Sequence, residues 1–167
     1  MGSRTLFIVI TFAGLILDQV TKVYIDGKMQ LYQSIPLIDN FFNLTYLRNK
    51  GAAFSFLSNA SWRLPFFIGV SLIAAIVILV AFRKLRDDQK MAQLSLAMIF
   101  SGAVGNLIDR IRLGEVIDFL DVHWYRHHWP AFNVADSLIC VGVFLLALDM
   151  LMEEKRQKLK MTAPESK

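Results

Sequence analysis

The sequence predicts an all-α membrane protein: four transmembrane helices with a small extracytoplasmic β-sheet and a short surface helix. Three observations carry this. Of 167 residues, 55% are hydrophobic and only 19% charged, where a soluble domain has about 45–50% and about 25%. Four runs are long enough to cross a bilayer, which takes roughly 20 apolar residues. Lys and Arg are unevenly sorted between the connections. The apolar excess excludes a disordered chain. It also makes a membrane, not nucleic acid, the partner of the +4 net charge. A single cysteine excludes a disulfide framework or a cysteine-rich metal cluster.

Residues 1–167 read as one integral membrane domain, with spans at about 5–24, 64–82, 91–108 and 132–152. The first is uncharged from Leu6 to Leu17 and then carries Asp18 and Lys22. Directly after Leu17 comes Asp-Gln-Val-Thr-Lys, without the small-x-small pattern of a cleaved signal peptide. The second, Leu64–Phe82, and the third, Met91–Ile108, are uncharged. The fourth holds Asp136 near its start and Asp149 near its end, and a polar, basic tail, 153–167, completes the chain.

Sidedness comes from Lys and Arg. Residues 1–4, 83–90 and 153–167 hold 10 of them in 27 residues, whereas 26–63 and 109–131 hold 7 in 61. The dense set belongs in the cytoplasm, so both termini face inside and the loops 25–63 and 109–131 face outside. Asp18 then lies roughly 20 Å along its helix, in the outer half. Asn106, Asp109 and Arg110 end the third span on the same side, Asn133 and Asp136 begin the fourth there, and Arg48, Asn49 and Asp118 lie in the outer loops. Polar groups from five segments thus converge on one face, with Asp149 as the exception. Phe42–Leu47 and Leu113–Phe119 read as short strands, the latter with Gly114 as a turn. Gly51–Leu57 reads as an interfacial helix, and Trp62, Trp124, Tyr125 and Trp129 as an aromatic belt.

Ionisable residues inside a membrane are costly and point to function by default. Asp18 and Lys22, at i and i+4, suit a mutual ion pair as well as a chemical role, and Asp109–Arg110 suits a helix-end pair. Asn133 and Asp136, at i and i+3, share a helix face. His123, His127 and His128 are clustered, but no H-E-x-x-H exists, and no metal or other cofactor is expected. Cys140 sits in an apolar span, where a thiol is a packing group. A carboxylate pair remains. Two close aspartates share a proton, so one can activate water while the other polarises a carbonyl. Spacing alone does not choose Asp118 and Asp136 over Asp18, Asp109 or Asp121. It also leaves open a proton-coupled transporter using Asp18, Lys22 and Asp136, and an assembly protein whose polar residues serve helix packing.

Five ordered blocks narrow this: Asp18-Gln-Val-Thr-Lys22, Arg48-Asn49-Lys50-Gly51-Ala52-Ala53-Phe54-Ser55, Gly102–Arg110, Val116-Ile117-Asp118-Phe119 and Phe132–Ser137. Together they resemble the lipoprotein signal peptidases (signal peptidase II), aspartic endopeptidases of the bacterial inner membrane. The resemblance implies removal of the signal peptide from lipid-modified prolipoproteins, just before the diacylglyceryl-cysteine. It implies Asp118 and Asp136 as catalytic residues, with Asp18, Lys22, Asn49, Gly51, Asn106, Arg110 and Asn133 binding substrate or supporting the site. It also implies an antibiotic target, blocked by globomycin-type cyclic peptides. The partners are then prolipoprotein signal peptides and membrane lipid, the working unit a monomer, and the site lies toward the extracytoplasmic face. A lid over the bound peptide is expected at Gly51-Ala52-Ala53.

Overall fold

The computed structural model describes residues 2–51 and 61–162. Within them the order is α1 (Ser3–Lys28), β1 (Ser34–Ile38), β2 (Phe42–Asn49), α2 (Arg63–Lys84), α3 (Lys90–Leu113), β3 (Val116–Trp124), β4 (His127–His128) and α4 (Val134–Thr162). All four helices are long and apolar enough to cross a membrane. Large apolar side chains such as Phe12, Ile16, Val20, Ile73, Val77 and Phe144 stand exposed on α1, α2 and α4. In a membrane those faces meet lipid, and the helices satisfy their own backbone polar groups.

The bundle is built around α3, the most buried helix, which packs against α1, α2 and α4. Small residues let the others come close. A Cβ on Gly102 would overlap the Ala135 carbonyl, and one on Gly105 the Asp18 carboxylate. Larger residues at these two places would push away the start of α4 and the polar face of α1.

Leu113, expected in a strand, instead ends α3. Gly114 closes that helix with φ of 72°, and its N–H donates to the Arg110 carbonyl at 3.0 Å. Left-handed backbone of this kind suits glycine and stops the helix. The strand therefore begins at Val116 and runs further than expected, to Trp124. The sheet is antiparallel, in the order β1-β2-β3-β4. Neither β1 nor β4 is expected from the sequence. Between β2 and β3 the register shifts between Leu44 and Leu47, after which Leu47 faces Asp118 and Asn49 faces Val116. Bulges bend a strand and re-aim its side chains. Here Thr45 and Tyr46 are buried in succession, and Tyr46 joins Ile25, Met29, Ile117 and Phe119 in the core under the sheet. A second core, around Phe7, Ile78, Leu96 and Ala97, fills the opposite end of the bundle. Of the surface helix expected over Gly51–Leu57, all but Gly51 lies outside the described residues.

Candidate active site

Asp118 is on β3 and Asp136 in the first turn of α4. The loop between them doubles back along β3. Leu120 N–H donates to the Phe132 carbonyl at 2.8 Å, and Phe132 N–H returns the bond to Leu120 at 3.0 Å. That short pairing sets the next residue, Asn133, against Asp118. Asn133 and Asp136 then cap α4 reciprocally. Asp136 N–H donates to Asn133 Oδ1 at 2.9 Å, and Asn133 N–H donates to Asp136 Oδ2 at 3.3 Å. This is a capping box, in which two otherwise orphaned helix donors are satisfied. The N-x-x-D spacing at the head of an apolar run was its sequence signal. The partial positive charge of a helix N-terminus also suits an anion at Asp136.

Every carboxylate oxygen of the pair accepts an N–H. Asp118 Oδ1 takes Asn133 Nδ2 at 2.8 Å, and Oδ2 takes Asn49 Nδ2 at 2.9 Å. Asp136 Oδ1 takes Asn106 Nδ2 at 2.7 Å. The amide orientations are forced, because each amide oxygen faces a group that can only donate. These are Gly51 N–H on Asn49 at 2.9 Å, Asp136 N–H on Asn133, and the Lys22 ammonium on Asn106 at 3.0 Å. Burial first, then the charge of nearby Asp136, pushes the Asp118 carboxyl up to about 7, outweighing the amide donors and Lys22. At neutral pH Asp118 therefore sits near its own titration point.

Behind the pair lies a buried ion cluster. Lys22 Nζ pairs with Asp18 Oδ2 and Asp109 Oδ2, both at 2.9 Å, and all three side chains are at most 1% exposed. Each carboxylate also holds one backbone group. Asp18 accepts Ala135 N–H at 2.9 Å and Asp109 accepts Ile117 N–H at 3.2 Å. These are the residues just before Asp136 and Asp118. Gln19 Nε2 spans both carboxylates at 3.1 Å. Gln19 lies inside the first sequence block, yet its residue type gives no reason to single it out.

Asp109 pairs with Lys22 and not with its neighbour Arg110, a pairing that the sequence allows but leaves open. Arg110 turns the other way, its guanidinium carbon 5.1 Å from the Phe67 ring centre and its Nη1 3.4 Å from the Asn106 carbonyl of its own helix. It lines a cavity of about 640 Å³ together with Asn49, Gly51, Asn106, Asp118 and Asp136. Phe67, Val70, Ala74, Ala103 and Ile139 supply the apolar wall, and Cys140 also borders the cavity. Arg48 points elsewhere, to Asp26 at 2.7 Å. Asp121 is occupied by Asn43 at 3.0 Å and His128 at 2.8 Å, with His123 stacked on His128. Asp149 lies at the middle of α4, well away from the pair.

A profile of the family described as Signal peptidase (SPase) II matches residues 10–152. Over 152 residues the chain is 67% identical to a lipoprotein signal peptidase of Geobacter sulfurreducens, covering 91% of this chain and 95% of that protein. It is 64% identical to one from Geobacter metallireducens, covering 91% and 94%. A solved bacterial membrane enzyme superposes with a TM-score of 0.82 at 32% identity, covering 96% of this chain and 93% of that one.

Proposed function

The chain belongs to the signal peptidase II family, a peptidase that removes signal peptides from prolipoproteins, and we propose that Asp118 and Asp136 make the cut. One observation supports this above all: two aspartates from different elements border one cavity, and each of their oxygens accepts an N–H. Family and helices together make this a bacterial inner-membrane protein.

In this reading Asp136 is the base and Asp118 the acid. Asp136 takes a proton from water as the water oxygen attacks the scissile carbonyl carbon, and Asp118 gives its proton to the carbonyl oxygen. As the tetrahedral intermediate collapses, the C–N bond breaks. The leaving nitrogen receives the proton held by Asp136, and the hydroxyl proton returns to Asp118. Proton sharing of this kind needs one raised carboxyl next to an ionised one. The apolar wall suits a signal helix and the diacylglyceryl chains of the cysteine just past the cut. Arg110, with donors to spare beside the pair, suits a substrate carbonyl. Gly51 borders the cavity, while Ala52 and Ala53 of the expected lid lie outside the described residues. One chain supplies both aspartates, so a monomer suffices, and a globomycin-type cyclic peptide would occupy the same cavity.

The sheet end faces the extracytoplasmic side in this reading, as the Lys and Arg distribution favours. A reporter active only outside the cytoplasm works when fused within Gln33–Asn40 or near Arg126 and fails at Asp87 or after Lys160. Activity at Asp87 reverses the orientation. The pair itself is tested by single-turnover cleavage of lipidated substrate. Asp118→Asn and Asp136→Asn each lose about 10²–10⁴-fold, and the double variant is little worse than either, since groups acting as a unit are not additive. Near-normal cleavage by either well-folded single variant sinks the assignment.

A further inference from the structure

Lys22 lies behind the aspartate pair and touches neither member, and it has no place in the proton transfers above. Its ammonium has three donors and three acceptors: Asp18 Oδ2 and Asp109 Oδ2 at 2.9 Å and Asn106 Oδ1 at 3.0 Å. The third contact has a chemical consequence. An amide presents an oxygen on one side and an NH2 on the other, and the two are nearly the same shape. An ammonium can only donate, so Asn106 must turn its oxygen toward Lys22. Its NH2 then faces Asp136 Oδ1 at 2.7 Å. Turned over, the same amide would set a carbonyl oxygen against that carboxylate. Asn133 Nδ2, at 3.3 Å, is a weaker second donor to the Asn106 oxygen.

We infer that Lys22 is a positioning residue for the reaction: its ammonium fixes the Asn106 amide in the one orientation that donates to Asp136. Lys22 acts through Asn106 on how Asp136 is held, not on substrate. The inference rests on the reading of Asp136 as the base. It separates two roles of one side chain, since the bonds to Asp18 and Asp109 brace the fold and the bond to Asn106 orients the site.

The test must remove the ammonium without leaving two bare carboxylates. Lys22→Met combined with Asp18→Asn does so. Together the three groups carry one net negative charge before the change, and Asp109 alone carries one after it. An asparagine at 18 can still accept Ala135 N–H, and Asp109 keeps Gln19 and Ile117 N–H. The expected result is a 10–100-fold fall in kcat, about what one misdirected hydrogen bond to a charged group costs. KM stays within twofold. Asn106→Ala falls comparably, and adding it to the Lys22→Met/Asp18→Asn protein causes no further loss. A wild-type kcat in Lys22→Met/Asp18→Asn, or multiplying losses in the combination, overturns the inference.

Asn106→Asp tests it in a protein that retains Lys22. That residue satisfies the ammonium but offers Asp136 no amide donor, so kcat falls as in Asn106→Ala. Wild-type kcat there would show that Asn106 serves only to satisfy Lys22, and would also overturn the inference. Asp136→Asn is assayed alongside. If that variant cleaves normally, the catalytic reading has failed. If it is inactive while the Lys22 and Asn106 variants are normal, only this inference has.

Discussion

Away from the sheet, α1 and α3 meet through Phe7, Leu96 and Ala97, with Phe82 4.1 Å and Phe100 5.7 Å from the Phe7 ring centre. At the sheet end the same two helices bury Asp18, Lys22 and Asp109. A fully buried amide at the apolar end, Gln93, bonds across elements, to the start of α1 and to the α2–α3 connection. Its Nε2 donates to Ser3 Oγ at 2.9 Å and to the Arg86 carbonyl at 2.7 Å, tying down the α2–α3 turn. As packing, the apolar end is the cheaper solution. Burying charges costs several kcal/mol each before pairing returns it, and apolar replacements of a whole buried ion cluster are often neutral or stabilising. The sheet end therefore carries its charges for the groups they hold, namely the backbone N–H preceding each aspartate and the Asn106 amide. One end of the bundle is built for stability, and the other gives up some of it for geometry.

That contrast can be broken by exchanging the symptoms. Lys22→Met alone leaves two buried carboxylates without their cation and should cost about 3–5 kcal/mol, with activity lost as well. Adding Asp18→Asn should restore most of the stability and none of the lost kcat, as read by thermal unfolding in detergent beside single-turnover cleavage. Phe7→Ala should cost a similar amount, about 3–5 kcal/mol, from lost burial and a cavity, yet leave turnover per folded molecule unchanged. A drop in kcat for Phe7→Ala would erase the division between the ends.

Gly51→Pro should do the reverse on a smaller scale. It removes the N–H that fixes the Asn49 amide, so cleavage falls by about tenfold, the worth of one hydrogen bond of about 1.4 kcal/mol, with little change in unfolding temperature. Wild-type cleavage in Gly51→Pro would mean that this N–H does not orient Asn49. The smallest effect is on stability against pH. The folded-state carboxyl of Asp118 sits above the ordinary 3.8, so ionising it disfavours the fold. That penalty is absent below about pH 4, grows as pH rises toward 7 and is constant above. Asp118→Asn should melt higher than the parent at pH 8, and the gap should close at pH 4. A gap that widens in acid contradicts the burial of Asp118 as its cause.

Much of this is legible in the chain. Four apolar runs announce the helices because a bilayer demands length and hydrophobicity, both additive along a sequence. The gathering of polar residues toward one end is legible for the same reason, since helix rise converts position into depth. The sheet is less so. β1 is exposed at every residue and β4 is two residues long, so neither carries a burial period. Leu113 reads as strand only if Gly114 is a turn, and Gly114 is a helix cap. The aspartate pair cannot be chosen from spacing. Asp118 is joined to Asp136 by the fold-back of Phe132 on Leu120, a backbone pairing with no side-chain signature. The adjacent charges Asp109 and Arg110 suggest a pair that does not form. Successive helix positions point about 100° apart, and Asp109 faces Lys22 while Arg110 faces the cavity.

The proposed mechanism turns on a proton carried by Asp118 beside Asp136. The pH dependence of single-turnover cleavage of a lipidated prolipoprotein by the purified protein tests this most directly. Asp118 loses its proton near pH 7, so the rate should fall as pH rises through about 7, losing about tenfold per unit on the alkaline side. A rate that climbs or stays flat from about pH 7 to 9, with the protein folded throughout, would contradict the shared-proton mechanism.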